Sequence, residues 1–261
     1  MMVRWRRDGP SSLSIRRGYV VRALILQFES DDPPDHLGAH LTAHGVAWDA
    51  ALMSAPRVPL ALDGYDMLVA LGGAMGANDV AEFPFLNEAT GLMRAAVERD
   101  LPCLGICLGG QLLARALGVP VTRNPEPEVG LIEVALAPAA RDDPLLRGLG
   151  PTLETVQCHQ DTFAVPEGGV LLASSARCGT QIVRCAPRAY AVQFHPEASW
   201  QAFAGWIEQG DLGFAGPEKA TLGRVLVDEV RAHDATVRAH ANALFDNFLR
   251  LAAPGHEQAC A

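Results

Sequence analysis

The sequence predicts an α/β fold, a three-layer sandwich whose mostly parallel central sheet carries an antiparallel extension. Two patterns predict it. Short apolar runs at 21–27 (VRALILQ), 66–71 (DMLVAL) and 102–106 (PCLGI) alternate with stretches of helical period, as strands joined by crossover helices do. Between residues 129 and 194 the pattern changes to five closely spaced strand candidates without intervening helices, which suits an antiparallel or mixed sheet edge.

In chain order, VRALILQ reads as the first buried strand. Residues 35–45 carry Leu37, Leu41 and His44 on one helical face, and Gly45 supplies the stop. His36, His40 and His44 also stand at i, i+4 and i+8 there. No carboxylate completes a HExxH pattern beside them, so the row reads as a solvated helical edge. DMLVAL is the second well-marked strand and ends in Gly72 and Gly73. Residues 85–98 bury a stripe of Leu86, Ala89, Met93 and Ala96. PCLGI is a short strand, and 108–118 is a helix closed by Gly118. The strand candidates of the middle are 129–136, 152–158, 170–175, 180–185 and 189–194. Helical patterning returns at 199–208 and 217–252, where Leu222, Val225, Leu226 and Val230 form one stripe and Ala243, Leu244, Phe248 and Leu251 another.

Composition narrows the function classes. The 261 residues hold 21 Lys plus Arg against 30 Asp plus Glu, a formal charge of −9, so a nucleic-acid partner is not expected. Residues 1–20 carry five arginines but lack the apolar core of a secretory signal, and are expected to be a flexible leader. No run approaches the ~18 apolar residues of a membrane span, so no membrane association is expected. The six cysteines (103, 107, 158, 178, 185, 260) form neither a dense disulfide framework nor a complete metal-ligand pattern. A reducing cytoplasm is the expected compartment, with no metal and no cofactor. One domain is expected over 21–253, followed by a flexible tail at 254–261.

Gly105-Ile106-Cys107-Leu108-Gly109-Gly110 places a cysteine between a strand and a helix, and small residues at 105 and 109 permit a sharp turn with the thiol at its tip. That is the logic of a nucleophile elbow, with sulfur replacing the serine oxygen. A helix N-terminus favours the thiolate, and the Leu108 amide would point near a reacting carbonyl. A thiol needs a base, and His195-Pro196-Glu197 follows the apolar strand AYAVQF. His195 could take the thiol proton and pass it to a leaving amine, while Glu197 orients the imidazole. Gly72 and Gly73 could present an unobstructed N–H, chiefly that of Gly73, as the second oxyanion donor.

Three segments, Leu71-Gly72-Gly73, GICLGGQLLARALG (105–118) and QFHPE (193–197), together resemble the class I glutamine amidotransferase family. The resemblance spans about residues 22–197 and implies a flavodoxin-like fold with a Cys-His-Glu triad at Cys107, His195 and Glu197. It also implies oxyanion contacts at Gly73 and Leu108, beside Gly72, and binding of the substrate's amino-acid end at Gln111. Glu128-Val129-Gly130 resembles the family's EIG segment beside the glutamine pocket. Cys158-His159-Gln160-Asp161 resembles its His-x-Asp segment, with Gln160 where many relatives have glycine. Substrate-binding roles are thereby implied for Glu128, Gly130, His159, Gln160 and Asp161.

The reaction implied is hydrolysis of the glutamine side-chain amide through a Cys107 γ-glutamyl thioester, with ammonia passed to an acceptor. The resemblance is to stand-alone proteins grouped with the amidotransferase part of GMP synthase, so a separate synthase subunit is one expected partner and a homo-oligomer another. Two other readings stand beside it: a γ-glutamyl peptidase or hydrolase using the same triad, and a noncatalytic partner-binding subunit.

Overall fold

The computed structural model describes residues 20–56, 60–210 and 219–252. The expected leader at 1–20, apart from Val20, and the tail at 254–261 lie outside the described residues. Strand β1 (Arg22–Gln27) is followed by α1 (Asp35–Ala43), β2 (Ala47–Leu52), β3 (Met67–Ala70), α2 (Phe85–Glu98), β4 (Cys103–Ile106) and α3 (Leu108–Ala116). Five further strands follow: β5 (Val121–Leu136), β6 (Thr152–Phe163), β7 (Val170–Ser174), β8 (Ile182–Ala186) and β9 (Ala189–Val192). The chain then forms α4 (Trp200–Gln209), α5 (Lys219–Ala232) and α6 (Asp234–Ala252).

All nine described strands join one sheet in the order β2-β1-β3-β4-β9-β8-β7-β5-β6. The first five are parallel and the remaining four antiparallel, so the expected α/β sandwich with an antiparallel extension is present. Alternation along β1 shows why there are three layers. Ala23 and Ile25 pack toward α1 and α6, through Leu37, Leu41, Leu244 and Phe245. Leu24 and Leu26 face the other way, toward Leu86 and Met93 of α2 and Leu112 of α3. Each such leucine, buried completely, contributes on the order of 2 kcal/mol. Among the described residues no helix is long and apolar enough to cross a membrane.

The structure departs from the sequence expectation in four places. Strand β2 carries no strand signal in its sequence: AWDAAL is an exposed edge strand without alternating burial, held partly by the Asp49–Arg22 ion pair at 2.8 Å. Strand β5 begins at Val121, well before 129, because a register shift between Arg123 and Glu128 carries it past Pro125 and Pro127. The helical stretch after residue 217 is two helices. In α5, Leu222 and Val225 are exposed, and the inward side is Gly223, Leu226 and Val230. The histidine row of α1 is not a solvated edge either. Its His40 and His44 face α6, where His40 bonds to Asn242 and Asp246 and His44 meets Asp246.

Candidate active site

Cys107 occupies the single residue between β4 and α3, with φ 48° and ψ −108°. A side chain rarely adopts this backbone, and such strain costs on the order of 1–3 kcal/mol. The surroundings impose it. The Cys107 amide donates to Val192 O of β9 at 2.8 Å, and the Gly109 amide donates to Leu71 O at 3.0 Å. The glycines are a packing necessity, because a Cβ on Gly109 would lie 2.2 Å from Ala70 O and one on Gly105 would lie 2.4 Å from Gly109 O. Helix α3 thus starts against the ends of β3 and β4, with the thiol at its N-terminus.

His195 and Glu197 follow β9, the parallel neighbour of β4, so both sides of the constellation emerge at the same sheet end. His195 Nδ1 and Glu197 Oε1 lie 2.8 Å apart, and both residues are buried. Burial works to lower the imidazole pKa, but the Glu197 carboxylate and the Cys107 sulfur outweigh it and hold it well above the ordinary value. His195 Nε2 has no hydrogen-bond partner among the described residues. Gly72 sits beneath this ring, where a Cβ would come within 2.7 Å of His195 Cε1.

These groups open into a cleft of about 440 Å³. Of the sequence-derived candidates, Cys107, His195, Gly73, Leu108, Gln111, His159, Gln160 and Asp161 all line it. Neither the Gly73 nor the Leu108 amide donates a hydrogen bond among the described residues, and both residues line the cleft with Cys107. Glu197 stands behind His195, away from the cleft wall.

Three candidates, Gly72, Glu128 and Gly130, are not among the residues that line the cleft. For the last two, strand alternation is the reason, since Pro127 and Val129 face the cleft and the residues between and beyond them face away. Glu128 is fully buried and takes hydrogen bonds from Ser175 Oγ at 2.5 Å and Gln181 Nε2 at 2.6 Å, with His159 Nε2 at 2.9 Å. Burial opposes its charge, but the His159, Ser175 and Gln181 hydrogen bonds prevail and keep its carboxyl below the usual range. Glu128 thus anchors His159, which lines the cleft. Gly130, at φ 101°, packs against Leu226 of α5.

Two residues around the cleft have no role assigned from the sequence, Gln193 behind its wall and Trp206 on it. Gln193 is fully buried and donates to Cys107 Sγ at 3.7 Å, while its Oε1 accepts from Gln111 Nε2 at 3.4 Å. Its separation of two from His195 at a strand end is an available signal. Trp206 of α4 tilts over His195 with ring centroids 4.6 Å apart, a contact that only the tertiary fold creates.

Asp32 also lines the cleft. Burial first, then the nearby Glu197, Glu29 and Asp31 charges, push its carboxyl up to about 7, with His195 opposing. The unfolded chain releases this proton near pH 3.8, whereas the folded chain holds it to about 7. Folding stability contributed by the proton is therefore complete below about pH 4 and is lost as pH rises through about 7. Asp32→Asn is expected to match the parent melting temperature near pH 4 and exceed it at pH 8. Parallel melting curves across that range would contradict the assignment.

Comparison with known proteins bears on this site. The glutamine amidotransferase class-I family model matches residues 39–209. The glutamine amidotransferase-like protein YfeJ of Salmonella typhimurium is 31% identical over 173 residues, 65% of this chain and 72% of that protein. A subunit of the glutamine-hydrolysing GMP synthase of Sulfurisphaera tokodaii is 35% identical over 150 residues, 56% of this chain and 76% of that protein. Among solved structures, a glutamine amidotransferase of Methylobacillus flagellatus superposes with a TM-score of 0.76 at 26% identity, covering 89% of this chain and 96% of that one.

Proposed function

The chain belongs to the class I glutamine amidotransferase family, and on that premise we propose that it hydrolyses the side-chain amide of glutamine through a covalent thioester on Cys107. The observation that carries this reading is the strained Cys107 elbow, facing an imidazole whose far nitrogen is held by a buried carboxylate.

In this mechanism the Cys107 thiolate attacks the glutamine Cδ carbon. The carbonyl oxygen takes up negative charge toward the Gly73 and Leu108 amides, each such donor being worth about 3 kcal/mol in the transition state. His195, protonated at Nε2 and steadied by Glu197, gives its proton to the departing nitrogen as the C–N bond breaks. Ammonia leaves and a γ-glutamyl thioester remains. Water then loses a proton to His195, attacks the thioester, and releases glutamate with the thiolate restored. No cofactor enters either half. Gln193 supports the sulfur through its amide, and Gln111 contacts both Gln193 and the Asp161 carbonyl. The cleft also combines the Arg123 guanidinium with the Glu29, Asp79 and Asp161 carboxyls, a charge pattern that suits a zwitterionic amino-acid head group.

The relatives named as subunits of glutamine-hydrolysing GMP synthases support a role as an ammonia supplier beside a separate synthase. The size of the cleft, larger than a glutamine side chain needs, favours one further reading, a γ-glutamyl hydrolase with the same thioester. A panel of free glutamine and γ-glutamyl dipeptides separates the two. Ammonia release from glutamine at a kcat/KM at least tenfold above dipeptide cleavage is expected. An electrophilic glutamine analogue should add its mass to the Cys107 peptide. Adduct formation elsewhere, with Cys107 unmodified, would defeat the proposal.

A further inference from the structure

At the opposite end of α1 from the Glu197 loop, three side chains converge that the proposed chemistry does not use. His40 Nε2 lies 3.0 Å and His44 Nε2 3.2 Å from the same oxygen, Oδ1 of Asp246 on α6. The two imidazoles stack with centroids 4.2 Å apart, and the three polar atoms all lie within 4.8 Å of one another. The carboxylate that meets these histidines comes from 206 residues beyond His40, so their local sequence gives no sign of it.

The hydrogen bonds at the other ring nitrogens decide what the cluster is suited to. His44 Nδ1 lies 2.9 Å from the His40 backbone carbonyl. A carbonyl only accepts, so Nδ1 carries the proton and Nε2 of the neutral ring presents a lone pair. His40 Nδ1 lies 3.1 Å from Asn242 Oδ1, which sets the same tautomer. Two imidazole lone pairs and an acceptor-only carboxylate oxygen thus point at one place. Protonating both rings would set two cations face to face against one negative charge.

A single divalent cation satisfies all three groups at once. With metal–nitrogen bonds of about 2.0–2.1 Å, two ligands of a tetrahedron stand about 3.3 Å apart, close to the 3.0 and 3.2 Å observed. Histidine ligands usually donate their second N–H to a carbonyl or amide oxygen, as both do here. The second histidine–carboxylate cluster, Glu128–His159–Cys178, differs because its acceptor oxygens are already supplied by Ser175 and Gln181 donors.

We propose that His40, His44 and Asp246 form a binding site for a zinc-class divalent transition metal, which clamps α1 to α6. The fourth position faces solvent, since the His44 and Asp246 side chains are 32% and 38% exposed. The N-terminal end of α1 receives the loop after β9: the His36 amide donates to Glu197 O at 3.0 Å, and Asp35 Oδ2 accepts from the Ser199 amide at 2.8 Å. The clamp therefore fixes a helix that also supports the residue holding His195.

The test uses the full chain carrying Cys107→Ala, so that the cleft sulfur does not compete for metal. After chelation and dialysis, titration with Zn²⁺ is expected to show one equivalent bound and a raised melting temperature. Co²⁺ should bind without a sulfur-to-cobalt charge-transfer band, because no thiolate belongs to the site. Adding His44→Ala or Asp246→Asn, both partly exposed positions that should fold, is expected to weaken Zn²⁺ binding by about 100-fold or more and to remove the thermal shift. Absence of binding to the parent, which would leave a protonated histidine–aspartate pair, overturns the proposal. So does equal binding by all three proteins, or a thiolate band with Co²⁺.

Discussion

Cys107→Ala is expected to lower glutamine hydrolysis by about 10⁴-fold or more, the scale of losing the nucleophile from a triad. This corresponds to roughly 5.5 kcal/mol of transition-state stabilisation. The His195–Glu197 pair and the two free amides remain in the variant, but they have no covalent step to serve. The fold should persist, because only one sulfur atom is removed, and its hydrogen bonds to Cys158 O at 3.8 Å and from Gln193 Nε2 at 3.7 Å are long. Cys107→Gly adds a second readout. At φ 48° and ψ −108° a glycine pays no Cβ penalty. It is therefore expected to be at least as stable as the alanine variant while equally inactive. Ammonia release measured alongside thermal unfolding checks both statements. Turnover by Cys107→Ala within tenfold of the parent would remove the thioester from the mechanism.

Gly109→Ala is expected to destabilise the fold by about 3 kcal/mol or more, a drop of roughly 6–12 °C in melting temperature for a chain of this size. The new methyl would meet Ala70 O at 2.2 Å and Ala70 C at 2.7 Å, both backbone atoms of β3 with nowhere to retreat. Helix α3 would have to lift away from the sheet end, carrying Cys107 and the Leu108 amide with it, so activity should fall as well. Gly91→Ala in α2 is the matched control. Nothing lies within 4 Å of the position its Cβ would take, and replacing a mid-helix glycine stabilises by about 0.5–1 kcal/mol. Opposite signs for the two substitutions are expected in chemical denaturation. Equal effects would mean that α3 is not held against β3 as described.

The parts of the site that are legible in the sequence are those built from neighbouring residues. A cysteine flanked by glycines between an apolar strand and a helix specifies its own elbow. A histidine two residues before a glutamate, just past a strand, presents both side chains at one end. Gln111 sits one helical turn along α3, but its role at the site comes from the family resemblance and not from its neighbours. Glu128 shows where such reading stops. Its place in the chain is plain from sequence, but whether it faces the cleft depends on the strand pleat and on a register shift between Arg123 and Glu128.

Local sequence determined the parallel core strands, the helix boundaries of α2 and α3, and the cysteine elbow, because each depends on periodicity and sterics within about a dozen residues. Tertiary structure alone decided that β2 forms an edge, that Trp206 covers His195, that Asp32 holds its proton, and that Asp246 meets His40 and His44. Each of these is a matter of which distant group arrives, and how much water it displaces. Charge, lone pairs and burial act through space, so their consequences appear only once the chain has closed on itself.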